Sequence, residues 1–195
     1  MIRVNDAPTL ASAETSALSF TEGGSATAIT SALTVSDADD TNIESATVQI
    51  TSNLDSSEDV LAFTTQNGIT ATFTSSTGLL TLSGSATLAN YQTALRSVTY
   101  QNTDTDNPST SQRTVTFKVN DGDSDSNTQT RTIDVTRVND APVLSSSNTS
   151  LSFAMGDAAK VLASTVAVTD VDDTNIESAT VQITPARLHC CPSCS

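Results

Sequence analysis

Tryptophan is absent from this 195-residue chain and aromatic residues make up only 4% of it. A core must therefore be assembled from Val, Ile, Leu and Ala with a few phenylalanines, for which Phe20, Phe63, Phe73 and Phe117 are the candidates. The same scarcity leaves no platform of stacked rings for gripping a sugar. Histidine occurs once, as His189 near the carboxyl end, so a Ser-His-Asp arrangement would lack its base anywhere else in the chain. All 3 cysteines, Cys190, Cys191 and Cys194, crowd the same end, which leaves the rest without a disulfide framework or a thiol site. Basic residues are few: 8 Lys and Arg against 22 Asp and Glu give a net charge of −14. That charge repels nucleic acid and anionic lipid, and it favours solubility and cation binding. No stretch of apolar residues is long enough to span a bilayer, and Met1-Ile2-Arg3 runs into a linker-like motif without an apolar targeting segment. The expectation is that this segment does not insert into a membrane and that any export signal is encoded elsewhere.

Thr and Ser are abundant and alternate with aliphatic residues, a pattern that suits half-buried strands and disfavours long helices. The chain also repeats itself. Val4-Asn5-Asp6-Ala7-Pro8 returns as Val138-Asn139-Asp140-Ala141-Pro142, and Leu18-Ser19-Phe20 returns as Leu151-Ser152-Phe153. Asp37-Ala38-Asp39-Asp40 matches Asp170-Val171-Asp172-Asp173, and each is followed by the same eleven residues, Thr41 to Thr51 and Thr174 to Thr184. A period of about 133 residues signals a tandem array of modules. The expected organisation is the linker end of a preceding repeat over 1–8, a complete repeat over 9–137, a truncated second repeat over 138–184, and a non-repeat tail over 185–195.

Within the complete copy, seven strands are expected at residues 33–36, 46–51, 69–74, 79–83, 97–101, 114–120 and 130–136. Turn signals separate them at Asn67-Gly68, Thr77-Gly78, Asn107-Pro108 and Asp121-Gly122. Together these describe an all-β sandwich. One stretch departs from alternation: Leu88, Tyr91, Leu95 and Val98 recur every three or four residues, which predicts a short helix starting near Thr87 and plugging an open end of the sandwich.

Calcium takes six to eight hard oxygen ligands, most readily from carboxylates close together in sequence plus backbone and Asn carbonyls. Asp37, Asp39 and Asp40 follow the expected strand ending at Ser36, and two-residue alternation places Asp37 and Asp39 on one side while Asp40 starts the loop. Such proximity is repulsive without a cation, and it recurs at Asp170, Asp172 and Asp173.

These residues resemble the cadherin-like tandem repeats of giant bacterial surface proteins. Leu33-Thr34-Val35-Ser36-Asp37-Ala38-Asp39-Asp40 looks like the cadherin strand that ends in the DxD calcium motif. Val119-Asn120-Asp121-Gly122-Asp123 looks like the segment before the last strand, and Arg137-Val138-Asn139-Asp140-Ala141-Pro142 looks like the inter-repeat linker DxNDNxP. Glu22 stands where the family has a first-strand glutamate. The resemblance covers nearly all of residues 1–184 and implies a Greek-key, cadherin- or immunoglobulin-like sandwich in tandem, part of an extracellular cell-surface protein. It further implies calcium ions at the junction of successive repeats, held here by Glu22, Asn139, Asp140, Asp170 and Asp172. Asp121 and Asp123 join the implied ligands, beside the Asp37, Asp39, Asp40 and Asp173 carboxylates. The pattern has gaps: Arg137 stands where the linker's first aspartate would be, the linker is one residue short at Ala141, and no LDRE motif lies between Tyr91 and Thr114. Asp104 and Asp106 are the acidic residues available in its place.

The expected function is that of a calcium-stiffened spacer or adhesion module. Its partners would be the neighbouring repeats, with a homophilic, protein or glycan target beyond them. The competing reading is a carbohydrate- or protein-binding sandwich using its loops or strand edges without calcium. An enzyme is not expected, because the acidic residues cluster in repeated loops with no aromatic platform for a sugar, which points to ion ligation over acid and base work. The Cys191-Pro192-Ser193-Cys194 stretch and His189 could form a zinc-like ligand set, but they lie in the tail, without a scaffold to hold them.

Overall fold

The computed structural model describes residues 4–147 and 150–183. The chain divides into two compact units, Met1–Asn139 and Asp140–Ser195. The His189 and cysteine cluster lies outside the described residues.

The first unit is a β-sandwich. Its larger sheet holds six strands in the order β2-β11-β10-β5-β8-β7, namely Leu18–Thr21, Gln129–Thr136, Arg113–Asn120, Asn42–Ser52, Leu79–Thr87 and Thr70–Thr74. A second sheet runs β3-β9-β6, which are Thr27–Ala28, Thr99–Asn102 and Asp59–Ala62. A short ribbon pairs β1, Thr9–Ala11, with β4, Thr34–Ser36. Strand β5 lies between β10 and β8, far from its sequence neighbours, which is the crossing of a Greek key. All pairings are antiparallel except β2 with β11, which run parallel.

Alternation decides which residues make the core. Strand β10 points Val115, Phe117 and Val119 inward and Thr114, Thr116 and Lys118 outward. Strand β5 buries Ala46, Val48 and Ile50 on the same rhythm, but Ile43 is also fully buried and falls out of that phase. A register shift against β8 between Ile43 and Ser45 absorbs the extra residue, so the strand starts four residues before its alternation does. Phe20 and Tyr100 meet edge to face inside, with centroids 5.3 Å apart at 85°. Of the expected core phenylalanines, Phe20 and Phe117 are buried, while Phe63 and Phe73 are half-buried at the core's margin.

The helix α1 spans Leu88–Arg96. Thr87 caps it by accepting the Asn90 amide, and Tyr91, Ala94 and Leu95 are its buried face. The helix also serves β4, an edge strand with unpaired backbone groups. Gln92 Oε1 accepts the Val35 amide at 3.2 Å, and Arg96 Nε donates to the Leu33 carbonyl at 2.8 Å. Strand β4 ends in the first acidic cluster, so α1 fixes the root of that loop.

In the second unit, β12, Val143–Ser145, pairs antiparallel with β13, Ala167–Thr169, and Leu144 opposes Val168. The equivalent residues of the first unit, Leu10 and Val35, oppose each other in the β1–β4 ribbon. Ile176, Val181 and Ile183, whose counterparts Ile43, Val48 and Ile50 are core residues, are exposed.

Candidate functional site

The first acidic cluster is organised by a turn. Asp37 Oδ1 accepts the amides of Asp39 at 3.0 Å and Asp40 at 2.9 Å, so the side chain folds back on its own loop. Strand β4 has already ended at Ser36, so Asp37 and Asp39 are brought together by this turn and not by the strand alternation expected from sequence. One carboxylate oxygen each from Asp37, Asp39 and Asp40 lies within 4.8 Å of the others. The linker closes over them: the Asp6 amide donates to Asp39 Oδ1 at 3.1 Å.

A second turn supplies Asp121 and Asp123. Asp121 Oδ1 accepts the amides of Asp123 at 2.8 Å and Ser124 at 2.7 Å, and its Oδ2 accepts from Asn5 Nδ2 at 3.1 Å. Desolvation works to raise the Asp121 carboxyl, but the Ser124 amide and the Asn5 side chain outweigh it and hold it below the usual range. Asp40 is pushed up instead, by desolvation and then by the negative charges of Asp39, Asp37, Asp121 and Asp123. All five carboxylates thus share one end of the sandwich and interact there. Asp37 Oδ2 is buried and accepts no hydrogen bond.

The second unit repeats the arrangement. Asp170 Oδ1 accepts the amides of Asp172 at 3.3 Å and Asp173 at 3.0 Å, and the Asp140 amide donates to Asp172 Oδ2 at 3.2 Å. Asp172 Oδ1 is buried without a hydrogen-bond partner. The two neighbouring carboxyls act on each other, so that Asp170 is lowered and Asp172 is raised from the ordinary carboxylate range.

Glu22 follows β2 at the other end of the large sheet. It is buried, its Oε2 accepts the Val138 amide at 2.7 Å, and its Oε1 has no hydrogen-bond partner. Of the junction ligands implied by the family resemblance, the structure thus gathers Asp140, Asp170 and Asp172 within the second unit and places Glu22 against Val138 in the first. Asn139 ends the first unit. Asp104 forms a third turn of the same type, accepting the amides of Asp106 at 2.9 Å and Asn107 at 3.1 Å, and those amides keep its carboxyl low.

Two features escaped the sequence reading. Asp6 holds the place in the first unit that Asp140 holds in the second, and the repeat offset was the signal for it. The other is a buried ionic network around Arg113, the largest fully buried side chain. Its Nε lies 3.2 and 3.1 Å from the two Asp59 oxygens and its Nη2 lies 2.7 Å from Glu58 Oε1. Tyr100 donates its hydroxyl to Asp59 at 2.6 Å, and burial followed by that acceptor pushes the phenol up. Arg113 is in phase with Val115 and Phe117 along β10, a signal that it points inward.

Fold and site together define an acidic β-sandwich repeat whose paired aspartate loops could hold a metal ion. Over 73 residues the chain is 51% identical to halomucin of Haloquadratum walsbyi, a stretch that is 35% of this chain and 1% of that protein. No protein-family model matches the chain, and no solved structure matches it. Among the described residues no helix is long and apolar enough to cross a membrane.

Proposed function

We propose that this chain is a calcium-binding, cadherin-like repeat segment of a large extracellular surface protein, acting as a calcium-stiffened spacer or adhesion module and not as an enzyme. One observation carries the reading: the same contact between a linker amide and a DxD carboxylate is built twice, from Asp6 to Asp39 and from Asp140 to Asp172. A solubilising or turn-forming aspartate has no need of a buried oxygen without a donor, yet Asp37 and Asp172 each carry one. A divalent cation satisfies both the orphan acceptors and the mutual repulsion. An all-oxygen donor set on adaptable loops, with no imidazole or thiolate, suits calcium better than zinc or copper. The local likeness to a protein named as a mucin, of which the aligned stretch is 1%, supports membership of a very long extracellular chain.

An ion in each cluster would fasten the linker aspartate to the loop of the unit that follows it. Freezing those backbone torsions turns a string of modules into a stiffer rod. With an affinity typical of extracellular modules, Kd roughly 0.1–1 mM, calcium at a hundred times Kd would stabilise the bound state by about 2.7 kcal/mol.

Titration calorimetry and thermal melts of the full chain, in calcium chloride and in chelator, test the proposal. The wild-type chain should release or absorb binding heat and melt several degrees higher in calcium, and the variant D37N/D39N/D170N/D172N should do neither. A wild-type chain that gives no heat and the same melt in both conditions would overturn it.

A further inference from the structure

The β10–β11 hairpin places Asp121 and Asp123 at its turn and Arg113 and Thr136 at its open end. The eight residues of β10 separate these ends by roughly 25 Å. The open end carries two cationic side chains of its own, Arg113 and Arg137.

Arg113 sits among oxygens of the kind a hard metal ion would take: both Asp59 oxygens, Glu58 Oε1, the Ser111 carbonyl at 2.8 Å and the Ser109 carbonyl. Glu58 Oε1 also accepts the Ser109 amide at 3.0 Å. A guanidinium presents its N–H donors in a rigid fork and stays charged at any relevant pH, so it holds these groups without an equilibrium that could empty the cage. The effect is to tie the loop 103–112 to strand β6. Arg137 then reaches back to the same loop, donating from Nε to the Pro108 carbonyl at 2.7 Å. The next residue, Val138, is held by Glu22. The path from Glu58 and Asp59 through Arg113, the loop and Arg137 to the start of the linker is continuous, and no step in it needs a metal.

We propose that Arg113 and Arg137 form a metal-independent latch that fixes where the chain leaves the first unit, so that this exit stays ordered at any calcium concentration. The inference is separable from the calcium reading: Glu22, which the family resemblance counts among the junction ligands, holds Val138 here by accepting its amide, a contact that needs no metal.

Residue-resolved amide exchange on the full chain, with calcium and with chelator, tests it. In the wild-type chain the Val138 and Ser109 amides should keep their protection within about twofold when calcium is removed. Arg137→Gln should speed exchange at Val138 by roughly five- to tenfold in either condition while leaving Ser109 as it was. Arg113→Gln should speed exchange at both amides. If that buried substitution unfolds the unit, the exposed Arg137→Gln decides the matter alone. A wild-type Val138 amide that loses more than about tenfold protection in chelator, or an Arg137→Gln chain that exchanges like wild type there, would sink the latch. Should calcium change nothing at Asp39 and Asp40, the metal reading fails while the Arg137 comparison in chelator still judges the latch.

Discussion

Glu14 shows how much one carboxylate can contribute in a protein with a thin core. It lies in the loop between β1 and β2 and accepts four hydrogen bonds: from the Thr30 hydroxyl at 2.6 Å, the Ser31 amide at 2.8 Å, the Ser31 hydroxyl at 2.9 Å and the Ala32 amide at 3.2 Å. Burial works to raise its carboxyl, but these donors, led by Thr30, outweigh it and bring the pKa down to about 2. A folded-state pKa below the unfolded one means the stabilisation is fully present above about pH 4.5 and is lost as pH falls toward 2. Glu14→Gln should therefore be less stable than wild type by about 1–2 kcal/mol at pH 7. That gap should close between pH 4.5 and 2, read from denaturant melts at several pH values. A gap that stays constant across that window would show that the carboxylate's charge is not what holds the loop.

At the scale of elements, close approach of strands and turns sets the constraints. Strand β8 passes so near the Asn67-Gly68 turn that a Cβ on Gly84 would lie 2.3 Å from the Gly68 carbonyl oxygen, and Gly84 has φ +130°, where L residues are strained. Tyr91 donates to the Gly84 carbonyl at 2.7 Å and locks this contact to the helix. Gly84→Ala should cost roughly 2–4 kcal/mol by chemical denaturation. Gly23→Ala, at φ +69° with open space around it, should cost only about 1 kcal/mol. Equal effects would mean that backbone conformation, not the crowded crossing, sets the cost.

The seven strands with clear alternation were legible in the sequence, as were the Thr87-capped helix and the repeated aspartate loops. Strands β1 and β3 are too short to show a period. Strand β6 begins with Asp59, a buried carboxylate made tolerable inside by distant partners, Tyr100 and, more than fifty residues on, Arg113. Strand alternation predicts that Asp37 and Asp39 converge, and they do, but a side-chain turn beyond the end of β4 brings them together. The placement of Glu22 against Val138 depends on the parallel pairing of β2 with β11, a long-range fact that no local pattern encodes.

For the whole molecule the dominant quantity is charge. A net −14 is concentrated in part on the five-carboxylate end of the first unit, and compaction is opposed by that self-repulsion. Raising sodium chloride from about 0.01 M to about 1 M shortens the screening length from about 30 Å to about 3 Å, so the melting temperature should climb along that series. A flat or falling series in scanning calorimetry would contradict the repulsion argument. A calcium increment that survives in about 1 M sodium chloride would mark coordination, which acts at contact distance, as distinct from screening.

The parallel partnership of β2 with β11 gives the first unit a particular response to tension. Leu18, Ser19, Phe20 and Thr21 face Ile133, Asp134, Val135 and Thr136, one strand from near the start of the unit and the other from its end. Tugging on the two ends slides these strands past each other and loads every rung together, whereas an antiparallel ribbon would peel open one rung at a time. A sandwich built this way meets a pull on its ends with these four rungs sharing the load.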